Sequence, residues 1–327
     1  MSMVNLLAGD VGGTTTRLGL FEKTASRPRP IAVREFATLD FPDLRSMTAA
    51  FLEAAPRADL SNATACFGVA GPVADDAASL TNTPWPRMEA GAIARALGLS
   101  HVHLLNDLEA MAYAVPVLES AEVQVLQAGR PAADGNIAII AAGTGLGEAF
   151  LHRVNERYVA IASEGGHADF AARTDREIAL LKHLVARYGR AQVEDVISGR
   201  GLLDIHRAIH ADPCQATIDP DAAGASAAIS SAALAGRCPG CVDTLDLFVE
   251  AYGAEAGNFA LRTVATGGVF IGGGIAPKIL PALTTGVFMR AFRAKAPFEA
   301  LLDAVPVKVI LHSTPGLLGA ANFCSHT

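Results

Sequence analysis

The sequence predicts an α/β protein built from two related lobes. Two observations carry this: an apolar strand, a Gly/Thr turn and a second strand occur at residues 6–21 and again at 137–151, and the copies lie about 130 residues, one domain length, apart. Composition is the third. Of 327 residues 51% are apolar and 18% charged, which favours burial over disorder, and the length favours two domains sharing one polypeptide.

In chain order, residues 6–10 read as a strand, 11–16 as a turn and 17–21 as the returning strand. Residues 65–70 form a buried strand ending in Gly71-Pro72, 88–97 a helix closed by Gly98, and 102–105 a further strand. Asn106 and Asp107 follow directly, where the chain enters a helical stretch over 108–114. The second copy has strands at 137–142 and 148–151 around a turn at 143–147. Long helical patterns cover 176–188 and 242–264, residues 213–235 read as a loop followed by an Ala-rich helix, and 269–274 is a strand running into three glycines. The ending Pro315-Gly316-Leu317-Leu318-Gly319 reads as a turn with Pro near the first helical position, opening a short helix that packs back on the body.

Several classes are excluded at this level. The net charge of -7, with 26 Lys and Arg scattered along the chain, lacks the basic footprint of a nucleic-acid binder. No apolar run approaches the roughly 18 residues of a membrane span, and the N-terminus lacks a signal-peptide pattern, so a cytoplasmic protein is expected. Cys66, Cys214, Cys238, Cys241 and Cys324 are too few and dispersed for a disulfide scaffold and read as reduced thiols.

Glycine turns bind phosphate when successive N–H groups point into one concavity. Three turns have that composition: Gly9, Asp10, Val11, Gly12, Gly13 and Thr14; Gly143, Thr144 and Gly145 with Gly147; and Gly272, Gly273 and Gly274. Neither the P-loop nor the Gly-x-Gly-x-x-Gly spacing is present. Asp10 ends a strand beside the first turn, where it either associates with Mg2+ or stabilises the turn. Asp107, at a strand end, either accepts a proton from an attacking hydroxyl or caps the helix starting at Leu108. Glu164 and His167, around Gly165-Gly166, suit vicinal sugar hydroxyls or serve the structure; Glu194 alone reads as a helix-surface carboxylate. Cys238-Pro239-Gly240-Cys241, with His206 and His210 upstream, resembles half a zinc site, but without a second Cys pair a helix-start turn explains it.

The combination of Leu7-Ala8-Gly9-Asp10-Val11-Gly12-Gly13-Thr14 with Arg17, Leu105-Asn106-Asp107-Leu108-Glu109-Ala110, Gly143-Thr144-Gly145-Leu146-Gly147, Ser163-Glu164-Gly165-Gly166-His167-Ala168-Asp169-Phe170 and the segment from Gly267 to Ile275 resembles the bacterial glucokinase family of the hexokinase, actin and Hsp70 superfamily. Thr81, Asn82 and Trp85 also fit, and the likeness spans nearly the whole chain.

The resemblance implies a two-lobed actin-like ATPase (ribonuclease H-like) fold. Its active-site cleft would lie between a small domain, residues 1–114 with 314–327, and a large one, residues 115–313. It implies transfer of the γ-phosphoryl group of ATP to the 6-hydroxyl of D-glucose in glycolysis, by a homodimer. It assigns Asn106, Asp107, Glu164, His167 and Glu194 to glucose hydroxyls, with Asp107 as the base, and so lifts Glu194 out of its surface role. The first two glycine turns become phosphate hairpins, Gly273 and Gly274 lie near adenosine, and Asp10 faces the Mg2+ of MgATP. Thr15 stands where the family commonly carries Asn. Against this stand a sugar-responsive transcription regulator, which needs a helix-turn-helix ahead of a strand that begins almost at Met1, and a chaperone-like or filament-forming member, which would lack the sugar ligands. Another hexose, or ADP or polyphosphate as donor, stays open.

Overall fold

The computed structural model describes residues 5–56, 63–80, 83–210 and 214–326; Thr81, Asn82 and Pro213 lie outside the described residues. The chain divides into two compact units: Met1–Glu119 with Ala160–Ala162 and His312–Thr327, and Ser120–Val159 with Ser163–Leu311.

Strand β1 (Asn5–Val11) of the first unit is apolar on both faces because it lies inside a sheet, antiparallel to β2 (Thr15–Glu22) and parallel to β4 (Thr64–Val69). β3 (Arg29–Ala37) forms one edge and is mostly exposed. Helix α1 (Leu44–Ala54), capped by the Asp43 carboxylate on the Ser46 N–H, buries Leu44, Met47 and Phe51 at helical spacing. Three two-residue strands, β5 (Val73–Ala74), β6 (Ala77–Ala78) and β7 (Met88–Glu89), make a small sheet. Helix α2 (Ala90–Leu97) ends at Gly98 in the left-handed conformation, as the sequence predicts. Strand β8 (His101–Asn106) completes the order β3-β2-β1-β4-β8 and runs without a loop into α3 (Asp107–Ala114).

The second unit repeats this scheme. Strand β9 (Val123–Gln127) is followed by the hairpin of β10 (Ile137–Ala142), buried throughout, and β11 (Leu146–Val154), then by β12 (Arg157–Ser163). Next come α4 (Asp175–Tyr188), α5 (Gly199–Ile209), α6 (Ala225–Leu234) and the long buried α7 (Pro239–Thr263), which begins with Pro at its first position. Strand β13 (Gly268–Gly272) lies parallel to β10; α8 (Leu280–Leu283), α9 (Val287–Arg293), α10 (Glu299–Ala304) and β14 (Val307–Ile310) follow, giving the order β12-β11-β10-β13-β14-β9. Each of the two large sheets thus carries an antiparallel glycine hairpin whose first strand pairs onward with parallel strands, the two-copy organisation read from the sequence.

Helix α11 (Pro315–Cys324) belongs to the first unit and packs with α3 against one face of its sheet, where Leu6, Ala8, Ala110, Leu317 and Ala321 are buried. Leu7, Val11, Phe67, Met47 and Phe51 fill the other face, so alternate residues of β1 serve opposite cores. Each fully buried Leu or Phe contributes about 1.5–3 kcal/mol to holding the layers together. Among the described residues no helix is long and apolar enough to cross a membrane.

Candidate functional site

In the first unit the chemistry gathers at the carboxyl ends of β1, β4 and β8. Gly9 and Val11 are buried within β1, so the surface of the first turn is made by Gly12, Gly13 and Thr14. The Gly12 N–H donates to the Thr15 carbonyl at 3.1 Å, closing the turn through backbone and leaving the identity of the Thr15 side chain secondary there. Thr38 clamps the turn from the end of β3: its N–H donates to the Thr14 carbonyl at 2.9 Å and its hydroxyl to the Gly12 carbonyl at 2.7 Å. Nothing local in the sequence marks Thr38, because its role arises only when β3 pairs with β2.

Asp10 pairs across the sheet with Arg17 and Gly68. Burial pushes its carboxyl up, and the Arg17 guanidinium, 4.0 Å away, opposes that shift. Gly68 matters because a Cβ there would stand 2.6 Å from Ala110 Cβ; its absence lets α3 descend onto β4 and brings Asp107 beside Asp10.

Asn106, not Asp107, caps α3. Its Oδ1 accepts from the Leu108 N–H at 2.9 Å, while the Asn106 N–H donates to Glu109 Oε2 at 3.0 Å, a reciprocal capping box. The helix therefore begins at Asp107, one residue before the sequence places it, and the cap reading of Asp107 gives way because its neighbour holds that position. Asp107 Oδ1 shares the Leu108 N–H at 2.9 Å. Burial raises its carboxyl, the Leu108 bond lowers it, and the Asp10 charge raises it again, to about 6.

Three segments of the second unit are stitched together around the β10–β11 hairpin. The Gly199 N–H, opening α5, donates to the Gly143 carbonyl at 2.9 Å, and the Glu194 N–H donates to the Gly166 carbonyl at 2.9 Å. Glu194 itself turns its carboxylate onto the hairpin, accepting from the Leu146 N–H at 2.9 Å. Arg200 stands 3.8 Å from the same carboxylate. Glu164 precedes and His167 ends a single 3-10 turn, with His167 Nε2 and Glu164 Oε2 4.0 Å apart and the Glu164 and His167 side chains 79% and 54% exposed. Gln192 Oε1 lies 2.8 Å from His167 Nδ1; with that oxygen accepting, the proton sits on Nδ1 and Nε2 of the neutral ring is an acceptor. Gln192 carries no sequence signal, since a Gln on a loop is ordinary.

Gly273 adopts φ +81°, a left-handed conformation that glycine permits at little cost, and turns the chain beside the Ala142 carbonyl at the end of β10. A cavity of about 650 Å³ opens here, lined by Gly143, Thr144, Gly199, Ser226, Gly274 and Lys278 among others. Two of the glycine turns therefore line one cavity at the carboxyl ends of parallel strands, where open α/β sheets bind ligands. Ser226 and Lys278 were not legible in the sequence; a serine in an Ala-rich helix and a lone lysine look like surface. One buried group also went unforeseen: Glu148 on β11 is 1% exposed, Oε1 has no hydrogen-bond partner among the described residues, and burial followed by the Glu255 charge, against Arg262, pushes its carboxyl up to about 8.

The family model described as Glucokinase matches residues 7–327. A glucokinase of Nostoc punctiforme is 40% identical over 339 residues, covering 98% of each chain. Among solved structures, a glucokinase from an Antarctic psychrotroph superposes with a TM-score of 0.87 at 31% identity, covering 99% of each chain. A ROK family glucokinase from Streptomyces griseus, solved with glucose and AMPPNP, shares the fold at a TM-score of 0.66 and 20% identity, covering 99% of this chain and 100% of that one. The architecture is that of the actin-like sugar kinases, with mixed sheets and flanking helices in both units.

Proposed function

The chain belongs to the glucokinase family, and from that premise we propose that it transfers the γ-phosphoryl group of MgATP to the 6-hydroxyl of D-glucose, with Asp107 taking up the hydroxyl proton. Its class is that of an ATP-dependent hexose kinase. The observation that carries the role of Asp107 is the division of labour at the start of α3: Asn106 does the capping, so the next carboxylate is left for chemistry at the end of a strand.

Phosphoryl transfer passes through a loose transition state, and the protein's contribution is positioning and electrostatics. Asp107, desolvated and beside Asp10, is poised near neutrality, so it orients the hydroxyl as an acceptor and takes its proton late. The second hydrogen of Asn106 Nδ2, whose amide also donates to the Gly71 carbonyl at 3.3 Å, and the groups of Glu164, His167 and Glu194 hold the remaining sugar hydroxyls. Gly13 and Thr14, with Thr144 and Gly145, present backbone N–H groups to the phosphates while the Gly12 and Gly143 N–H groups close the two turns, and the cavity beside Gly273 and Gly274 takes the adenosine. Asp10 suits the Mg2+ of MgATP, directly or through water, where the ion would offset phosphate charge. Glu194 has two tasks in this reading, since the carboxylate that meets the sugar also fixes the phosphate hairpin.

A homodimer acting in the cytoplasm at the entry of glucose into glycolysis completes the proposal, supported by membership of the family. The test is initial rates on glucose, mannose, fructose and N-acetylglucosamine, each with ATP, ADP and polyphosphate. Highest kcat/KM for glucose with ATP supports the reading; a clear preference for another sugar or donor overturns that part of it.

A further inference from the structure

Five soft-donor side chains meet in the second unit away from the glycine turns. His206 and His210 sit one helical turn apart at the end of α5 with ring centroids 4.5 Å apart. Cys238 caps α7 and Cys241 lies in its first turn, and Cys214 comes from the segment before α6. The contacts close into a ring: His210 Nε2 to Cys238 Sγ is 3.3 Å, Cys238 to Cys214 Sγ 3.8 Å, Cys214 to Cys241 Sγ 3.7 Å, and Cys241 Sγ to His206 Nε2 3.9 Å. His206, Cys214 and Cys241 form one set of ligand atoms mutually within 4.8 Å, and His210, Cys214 and Cys238 another.

Cys214 Sγ stands at tetrahedral edge length from both Cys238 and Cys241, and each of those two has an imidazole beside it; Cys238 and Cys241 themselves fall in different sets and would draw together around an ion. With Zn–S near 2.3 Å and Zn–N near 2.0 Å, tetrahedral geometry puts sulfurs about 3.8 Å apart and sulfur and nitrogen about 3.5 Å apart. The burial also fits, because Cys238, Cys241 and His206 are all buried and a disulfide would use only two of the three thiols. The sequence argued against zinc for want of a second Cys pair; the missing thiol is the isolated Cys214, which only the fold brings to the Cys-x-x-Cys turn.

We propose that Cys214, Cys238 and Cys241, with one imidazole of the His206–His210 pair, bind a zinc-like divalent cation at a closed structural site. As the metal binds, the coordinating thiols give up their protons to solvent and three thiolates with a neutral imidazole fill the four positions, leaving none for substrate. The site joins the end of α5 to the start of α7. Leu202 and Leu203 of α5 and Phe248 of α7 line the cavity near Thr144, so the metal braces that wall at a distance.

The test is metal content of the reduced, full-length protein by mass spectrometry after dialysis against metal-free buffer, with Co2+ exchange followed by absorption. The expected result is close to one equivalent of zinc per chain and, in the cobalt form, thiolate-to-metal charge-transfer bands with intense tetrahedral d–d bands. Cys214→Ser and Cys238→Ser should lower zinc to background while Cys324→Ala, on α11 of the first unit, keeps it. Of His206→Ala and His210→Ala, one should lose the metal. Folded, reduced wild type that holds no zinc and gives no cobalt charge-transfer bands overturns the proposal whatever the variants do. So does zinc retained in both Cys variants, and zinc retained in both His variants overturns the imidazole ligand.

Discussion

The Glu194 carboxylate accepts a hydrogen bond from the Leu146 N–H at 2.9 Å, so a residue from the segment before α5 fixes the glycine hairpin between β10 and β11. Gly145 makes the approach possible, because a Cβ there would come within 2.5 Å of the same carboxylate oxygen. Gly145→Ala is therefore expected to expel Glu194 from the hairpin with the fold intact. Losing a charged hydrogen bond of about 1.5–3 kcal/mol should lower kcat/KM for MgATP by roughly 10- to 100-fold. Steady-state kinetics beside an unchanged circular dichroism spectrum checks this, and wild-type kinetics would show that the bond does not organise the hairpin.

The pH profile follows from Asp107. Its carboxyl stands near 6 because burial and Asp10 outweigh the Leu108 bond, and the base must be ionised to act. In the free enzyme kcat/KM for glucose should be level above about pH 7 and fall toward tenfold per unit below 6. Asp10→Asn removes the charge that adds to burial in raising it, so the inflection in that variant should move to lower pH even as the rate drops. An inflection that stays where it is in Asp10→Asn would detach it from Asp107.

Glu148 gives a stability prediction with a definite sign. Folding raises its carboxyl from an ordinary value near 4.5 to about 8, so its contribution is present below pH 4.5 and is lost as pH climbs toward 8. Glu148→Gln cannot ionise and should be more stable than wild type by about 4 kcal/mol at pH 7.5, the two converging below pH 4.5. Thermal melts across this range read the difference; parallel curves would mean that Glu148 does not titrate with folding.

Gly319 is where α11 crosses α3, with the Ala110 carbonyl occupying the place of a Cβ. Gly319→Ala must push the helices apart, at the upper end of the roughly 1–3 kcal/mol typical of overpacking, and lower Tm on the order of 5–10 °C. Because α3 carries Asp107 at its first position, kcat should fall with stability. A melt unchanged from wild type would contradict the packing.

What the sequence revealed depended on whether a residue's task is local. Both hairpins, the Gly98 stop and the Pro315 helix start were legible because turn and cap chemistry is written in adjacent residues. Strand β3 escaped because, as an exposed edge, only Phe36 of its nine residues is buried and no alternation shows. Helix α5 also escaped, though Ser198 caps it on the Gly201 N–H. The site contacts of Thr38, Gly68, Gln192 and Cys214 reach partners distant in sequence. Glu194 alone reads as a helix-surface carboxylate, but in the fold it lies ahead of α5 with its backbone bonding the loop at Gly166 and its side chain bonding Leu146, contacts that no adjacent residue announces.

In the proposed reaction Asp107 receives the proton of the sugar hydroxyl. The most direct measurement is glucose 6-phosphate formation with MgATP in wild type and Asp107→Ala, with glucose affinity of both measured by calorimetry. The expected result is a fall in kcat of about 10²–10⁴-fold, the usual worth of a positioned acid or base, while glucose still binds. A variant that turns over within a few-fold of wild type, with glucose bound equally well, would contradict it.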